Sequence, residues 1–157
     1  MKEINKVVEM LITKNKTISS MESCTGGCFV NEITNIPGSS DILKFSAITY
    51  SNEFKIKMGV SENIINEYSV YSMETAKDMS KKISDYTNSD YGIGITGKIN
   101  RVDKSNMYGK DNLVYVSIYD KNLSKYYTLS IEMKDINRVE NKKMIVRSIA
   151  SLLLEII

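Results

Sequence analysis

Glu22-Ser23-Cys24-Thr25-Gly26-Gly27 follows directly on the β-prone run Thr17-Ile18-Ser19-Ser20-Met21. A hydroxyl at such a strand-to-helix switch stands where several backbone N–H groups converge, the setting an activated serine needs. Thr25 and the two glycines are small enough to let a ligand approach the main chain. A helix opening here would direct its positive end at an anion. The same residues read equally as a helix start, with Ser23 or Thr25 capping the first turn and Gly26-Gly27 packing loosely. Composition narrows the chemistry, because the chain has no histidine. Ser-His-Asp and Cys-His catalysis and His-ligated zinc are therefore excluded. A proton shuttle near neutral pH falls to a Lys, Asp, Glu, Tyr or Cys whose surroundings move its pKa.

The elements that must position these residues follow from periodicity. Ile4, Val7, Val8, Leu11 and Ile12 repeat at helical spacing, so 2–15 is expected as an amphipathic helix and 17–22 as a strand. A helix from Gly26 to Ile36 is expected to end before the turn signal Pro37-Gly38-Ser39-Ser40, and 44–51 reads as a second strand. Short helices fit 52–58 and 61–67. Ser72 is a good cap for a helix of about 16 residues with Ala76, Met79, Ile83 and Tyr86 as its core stripe. Tyr91–Gly97 alternates as a strand in which Gly92 and Gly94 permit close backbone approach; a dinucleotide fingerprint would need glycines opening a helix. The runs 113–119 and 126–131 suit a hairpin. Met144, Ile145, Ile149, Leu152, Leu153 and Ile156 close the chain as a helix. The resulting order, α-β-α-β-α-α-β-β-β-α, implies an α/β fold, a three-layer α/β/α sandwich around a mixed sheet.

The length of 157 residues, with 42% hydrophobic and 25% charged, suits one domain over residues 1–157. Basic and acidic residues, 21 and 19, interleave and give no nucleic-acid footprint. There is neither an apolar run of membrane-spanning length nor a signal-like start, so a cytoplasmic protein without a membrane partner is expected. Cys24 and Cys28, four apart, are expected on one helix face, where a disulfide is geometrically poor and further metal ligands are lacking. They read as buried thiols.

Three spaced segments carry a resemblance: Glu22-Ser23-Cys24-Thr25-Gly26-Gly27, Pro37-Gly38-Ser39-Ser40, and Thr49-Tyr50-Ser51-Asn52-Glu53-Phe54-Lys55. With Gly59-Val60 and Val70-Tyr71-Ser72 in matching order, the chain resembles the C-terminal domain of the CinA family, whose stand-alone form is nicotinamide-nucleotide amidase. The resemblance implies hydrolysis of nicotinamide mononucleotide to nicotinic acid mononucleotide and ammonia, without metal or cofactor, in a homodimer or higher homo-oligomer. It implies Ser23 as nucleophile and Lys55 as base, with Tyr50 from the second motif and, through a looser match, Arg138. Thr25, Gly26, Gly27 and Gly97 would bind substrate or oxyanion. To act as base, Lys55 must be neutral, which requires its pKa to fall from about 10.4 toward roughly 7–8, a cost of around 4 kcal/mol supplied by burial or by a cation such as Arg138. Without the motif, Lys55 would read as a solvated helix lysine and Tyr50 as a core strand aromatic.

The resemblance breaks after Gly97. Where the family carries a glycine-rich loop, this chain has Lys98-Ile99-Asn100-Arg101-Val102-Asp103-Lys104-Ser105-Asn106-Met107-Tyr108-Gly109. Side chains at these positions block or relocate main-chain contacts to a substrate. Three readings follow: an altered enzyme in which Lys98, Arg101 and Lys104 hold a phosphate in place of backbone amides, a domain that binds or regulates without turnover, and an amidase for a different small amide. A plain exposed surface loop is the alternative for the basic segment itself.

Overall fold

A computed structural model describes residues 1–157. Ile4, Val7, Val8 and Leu11 form the buried stripe of α1 (Lys2–Thr13). β1 (Ile18–Glu22), α2 (Cys28–Thr34), a 3₁₀ turn at Ser39–Asp41 and β2 (Ser46–Ile48) follow. Three helices then separate β2 from the next strand, as the segments 52–58, 61–67 and the Ser72-capped run suggest: α3 (Asn52–Lys57), α4 (Glu62–Tyr68) and α5 (Met73–Thr87). A serine starts each of them, Ser51, Ser61 and Ser72 accepting from the backbone N–H three residues on. β3 (Tyr91–Gly97), β4 (Leu113–Asp120), β5 (Lys125–Glu132) and α6 (Arg138–Ile156) complete the chain.

The sheet runs β2-β1-β3-β4-β5. β2, β1 and β3 are parallel, whereas β3, β4 and β5 are antiparallel, so the expected mixed sheet is present. Along β1 and β3 the pleat turns Ile18, Ile93 and Ile95 toward α1, α2 and α6, where they pack with Val7, Leu11, Phe29, Ile33 and Ile149. The opposite face is thinner, and Met21, Met79 and Ile83 fill it under α5. Gly92 and Gly94 explain why α5 lies so close. A Cβ at Gly92 would sit 2.0 Å from the Ser80 carbonyl oxygen, and one at Gly94 2.2 Å from that of Ala76. Small polar residues pair across the same seam, Ser80 Oγ with Ser117 Oγ at 2.9 Å.

Two expectations need correction here. β2 pairs with β1 only over Ser46–Ile48, and one further bond runs from Thr49 N–H to the Glu22 carbonyl at 2.8 Å before the chain turns into α3. Tyr50 therefore lies beyond the strand and is 65% exposed, not a core aromatic. Tyr86, expected in the α5 stripe, is also exposed and packs on Phe45 with ring centroids 5.5 Å apart.

From β1 the chain passes through α2 to β2 on one side, then back through α5 to β3 on the other. Such a reversal opens a crevice at the carboxyl ends of the strands. Ser23, Thr49-Tyr50 and Lys98 lie just beyond those ends. No helix is long and apolar enough to cross a membrane.

Candidate active site

Ser23 is the first residue past β1, and its N–H extends the ladder by one bond to the Ile95 carbonyl at 3.0 Å. The chain then makes a tight turn in which Gly26 and Gly27 take φ of 60° and 95°, conformations that side chains rarely adopt. α2 starts later than the sequence suggests, with Gly27 as a cap lacking a side-chain bond. Neither Ser23 nor Thr25 is the cap. Glu22 takes that role from the preceding strand: its buried carboxylate accepts from Thr25 Oγ1 at 2.6 Å, Phe29 N–H at 3.1 Å and Val30 N–H at 3.0 Å. The start of α2 thus already holds an internal anion. The Thr25 hydroxyl is committed to Glu22, and the Gly26 N–H donates to the Ser23 carbonyl at 2.9 Å, so neither of these two groups is available to a substrate. The N–H groups of Cys24, Thr25 and Gly27 make no hydrogen bond within the chain.

Lys55 approaches from α3. Ser51 caps that helix, which turns Lys55 inward so that it is only 1% exposed. Its Nζ lies 3.0 Å from Ser23 Oγ and 2.6 Å from the Thr49 carbonyl oxygen. Burial lowers its pKa from 10.5 to about 8, against a smaller opposing influence of Cys24. Arg138 is not among the causes, so burial supplies the whole of the depression. A neutral Lys55 can donate to Thr49 and accept the Ser23 hydroxyl proton, the relation of a nucleophile to its base. Cys24, beside Ser23, is pushed up to about 12 by burial and stays a thiol. The two cysteines are free and do not share a helix face, since Cys24 lies in the turn and only Cys28 is on α2.

Above the pair opens a cleft of ≈ 590 Å³, lined among others by Ser23, Tyr50, Gly97, Lys98, Arg101, Lys104 and Arg138. The structure thus brings the cationic loop residues to the same cleft as the serine. They are not alike, because Lys98 is 4% exposed while Arg101 and Lys104 face solvent. Lys98 Nζ lies 4.7 Å above the Tyr71 ring and 3.4 Å from Asp111 Oδ1. Arg138, the first residue of α6, donates from Nη1 to the Ile99 carbonyl at 2.7 Å and ties that helix to the loop. Tyr50 has no hydrogen bond to Lys55 and contributes an exposed aromatic wall. Gly97 ends β3 at φ 153°, where a Cβ would meet the Leu113 carbonyl oxygen at 2.5 Å. Its smallness serves the strand contact.

Tyr71 and Asp103 were not expected in the cleft, yet both line it, and the Tyr71 hydroxyl donates to the Asp103 carboxylate. Burial and that bond raise the Tyr71 pKa, and the same bond lowers that of Asp103. Glu22 had a signal in the sequence, because strand alternation from Ile18 puts it on the inward face. Nothing local marks Asp103.

A half-buried serine beside a buried lysine at the carboxyl ends of parallel strands marks the crevice of this histidine-free α/β domain. The chain belongs to the CinA C-terminal domain family, whose model matches residues 2–157. A CinA-like protein of Endomicrobium trichonymphae is 37% identical over 134 residues, covering 82% of this chain and 31% of that protein. A putative competence-damage inducible protein of Clostridium kluyveri is 35% identical over 137 residues, covering 87% and 32%. The chain therefore spans about a third of the length of these relatives. Among solved structures, a CinA superfamily protein from Klebsiella pneumoniae superimposes with a TM-score of 0.89 at 19% identity, over 98% of this chain and 94% of that one. The competence/damage inducible protein CihA from Agrobacterium tumefaciens gives 0.85 at 24%, with coverage of 98% and 94%. These two share the fold.

Proposed function

We propose that the domain is a metal-independent amidohydrolase that converts nicotinamide mononucleotide to nicotinic acid mononucleotide and ammonia. The observation that carries the reading is the 3.0 Å approach of Lys55 Nζ to Ser23 Oγ by an amine whose pKa burial brings to about 8. Neutral Lys55 takes the Ser23 proton as Oγ bonds to the carboxamide carbon. The tetrahedral oxyanion needs donors, and the uncommitted Cys24 and Thr25 amides flank the nucleophile; each such donor is worth about 10²–10³ in rate. Protonated Lys55 then gives its proton to the amide nitrogen, the C–N bond breaks and ammonia leaves. Water, deprotonated by Lys55, cleaves the ester and restores Ser23.

The substrate assignment has separate support. The ESCTGG and YSNEFK segments resemble the amidase motifs, and Lys98, Arg101, Lys104 and Arg138 offer a phosphate the positive charge that a glycine loop would supply through amides. Ammonia release from nicotinamide mononucleotide by the purified protein, compared with Ser23→Ala, tests the proposal. Release that falls on the order of 10⁴-fold in Ser23→Ala supports it. Equal release by both proteins refutes it. The side-chain-filled loop favours one other reading, a domain that binds the nucleotide without turnover. Calorimetric binding without ammonia release would establish that reading.

A further inference from the structure

We infer that Glu22 is a positioning residue for the nucleophile, holding the Ser23–Gly27 turn in its reactive shape; the inference rests on Ser23 being the nucleophile. Glu22 is the last residue of β1 and 0% exposed, and a carboxylate so placed needs a purpose or partners. It has three donors, and all of them belong to the segment that follows Ser23: the Thr25 hydroxyl inside the turn, and the Phe29 and Val30 amides at the start of α2. The carboxylate therefore closes a ring around the turn, joining its two ends through one side chain.

Apart from Glu22, the turn is held by neutral backbone bonds. Gly26 and Gly27 carry positive φ, and glycine adds no side chain to fix the path. Four neutral backbone bonds add to its support: Ser23 N–H to the Ile95 carbonyl, Gly26 N–H to that of Ser23, Cys28 N–H to that of Thr25 and Asn31 N–H to that of Gly27. Charge-assisted bonds to a carboxylate are stronger than these neutral ones, so Glu22 is the main fastening. Releasing it frees Thr25 and the first amides of α2, and with them the position of Ser23 Oγ and of the Cys24 and Thr25 N–H groups. A displacement of about 1 Å at reacting atoms costs roughly 10²-fold in rate. Glu22 acts on position and not on the strength of the base, since burial and Cys24 alone shift the Lys55 pKa.

Glu22→Gln keeps the shape but turns one acceptor into an NH₂ group that faces backbone N–H, breaking part of the ring. With nicotinamide mononucleotide the expected result is a kcat about 10²-fold lower, KM within about threefold, and a pH profile still inflecting near 8. Ile33→Val, a buried change in α2 with a comparable melting shift, is the control and should keep kcat. The labelling rate of Ser23 by a fluorophosphonate, read by intact mass, follows the nucleophile without relying on the substrate. A wild type that labels but releases no ammonia refutes the amidase reading, and slower labelling of Glu22→Gln still supports the positioning role. Thr25→Val, which removes one donor and leaves the carboxylate, should show the same split at about tenfold and serves if Glu22→Gln does not fold. A kcat or labelling rate within threefold of wild type in both variants, or an equal loss in Ile33→Val, overturns the inference. A wild type that neither labels nor releases ammonia overturns the serine reading itself.

Discussion

The two walls of the cleft are built differently. The Ser23–Lys55 wall hangs from strand ends and is fastened by buried bonds: Ser23 to Ile95, Thr49 to Glu22, Lys55 to Thr49, and Glu22 to the start of α2. The facing wall is the loop 98–112, in which Arg101 and Lys104 reach into solvent. Backbone bonds hold its ends, Lys98 N–H to the Leu113 carbonyl at 3.0 Å and Met133 N–H to that of Asn112 at 2.7 Å, while side chains tie its middle: Tyr71 to Asp103, Asn106 Nδ2 to Ser69 Oγ at 2.9 Å, and Asn100 Nδ2 to the Lys134 carbonyl at 2.8 Å. Buried, mutually dependent bonds fix a reacting group, while partly exposed ones can be exchanged singly at small cost. The two walls can therefore change independently, and the resemblance read from the sequence breaks in the second.

Breaking the first wall should have the largest effect. Lys55→Met removes the base but fills the space of its stem, and amidase activity should fall on the order of 10³-fold or more while the melting temperature holds or rises, since a charge buried without a carboxylate partner is lost. Stability against pH gives the same contrast. The folded state holds Lys55 at about 8 against 10.5 for the free side chain, so its stability penalty is full below about 8 and fades as pH rises to 10.5. Wild-type unfolding free energy should therefore rise across that window relative to Lys55→Met, as denaturant titrations at pH 7.5 and 10 would reveal.

The second wall should respond more weakly and in a different parameter. Reversing charge at Arg101 and Lys104 together should raise KM for the mononucleotide about tenfold or more and leave kcat within about threefold. Unchanged KM would remove these two residues from phosphate recognition. The smallest effect is expected from Tyr71→Phe, which releases Asp103: amide exchange across 100–108 should quicken, with Ser23 labelling unaltered. A labelling change there would mean that the two walls are coupled.

The same division decided what could be read from the sequence. Strand alternation located β1, β3 and the β4–β5 hairpin, and Ser72 marked the start of α5. Ser23 and Lys55 were legible together through their motifs. Their distance was not, because it depends on β2 ending at Ile48 and on Ser51 starting α3, and edge-strand lengths are set by pairing that local pattern does not encode. The capping role open to Thr25 fails for a related reason. Its hydroxyl reads locally as a cap for the following helix, but it bonds back to Glu22, three residues earlier, and Gly27 stands at the cap. Lys98 and its loop neighbours looked equivalent as a basic run, and only tertiary packing separates the buried Lys98 from the exposed Arg101 and Lys104.

Whether burial makes Lys55 the base for Ser23 is read most directly from the pH dependence of kcat/KM between pH 6 and 10. The expected profile is a tenfold rise per pH unit that levels off near 8, where Lys55 loses its proton, with no such limb in Lys55→Met. A flat profile, or wild-type activity persisting in Lys55→Met, would contradict it.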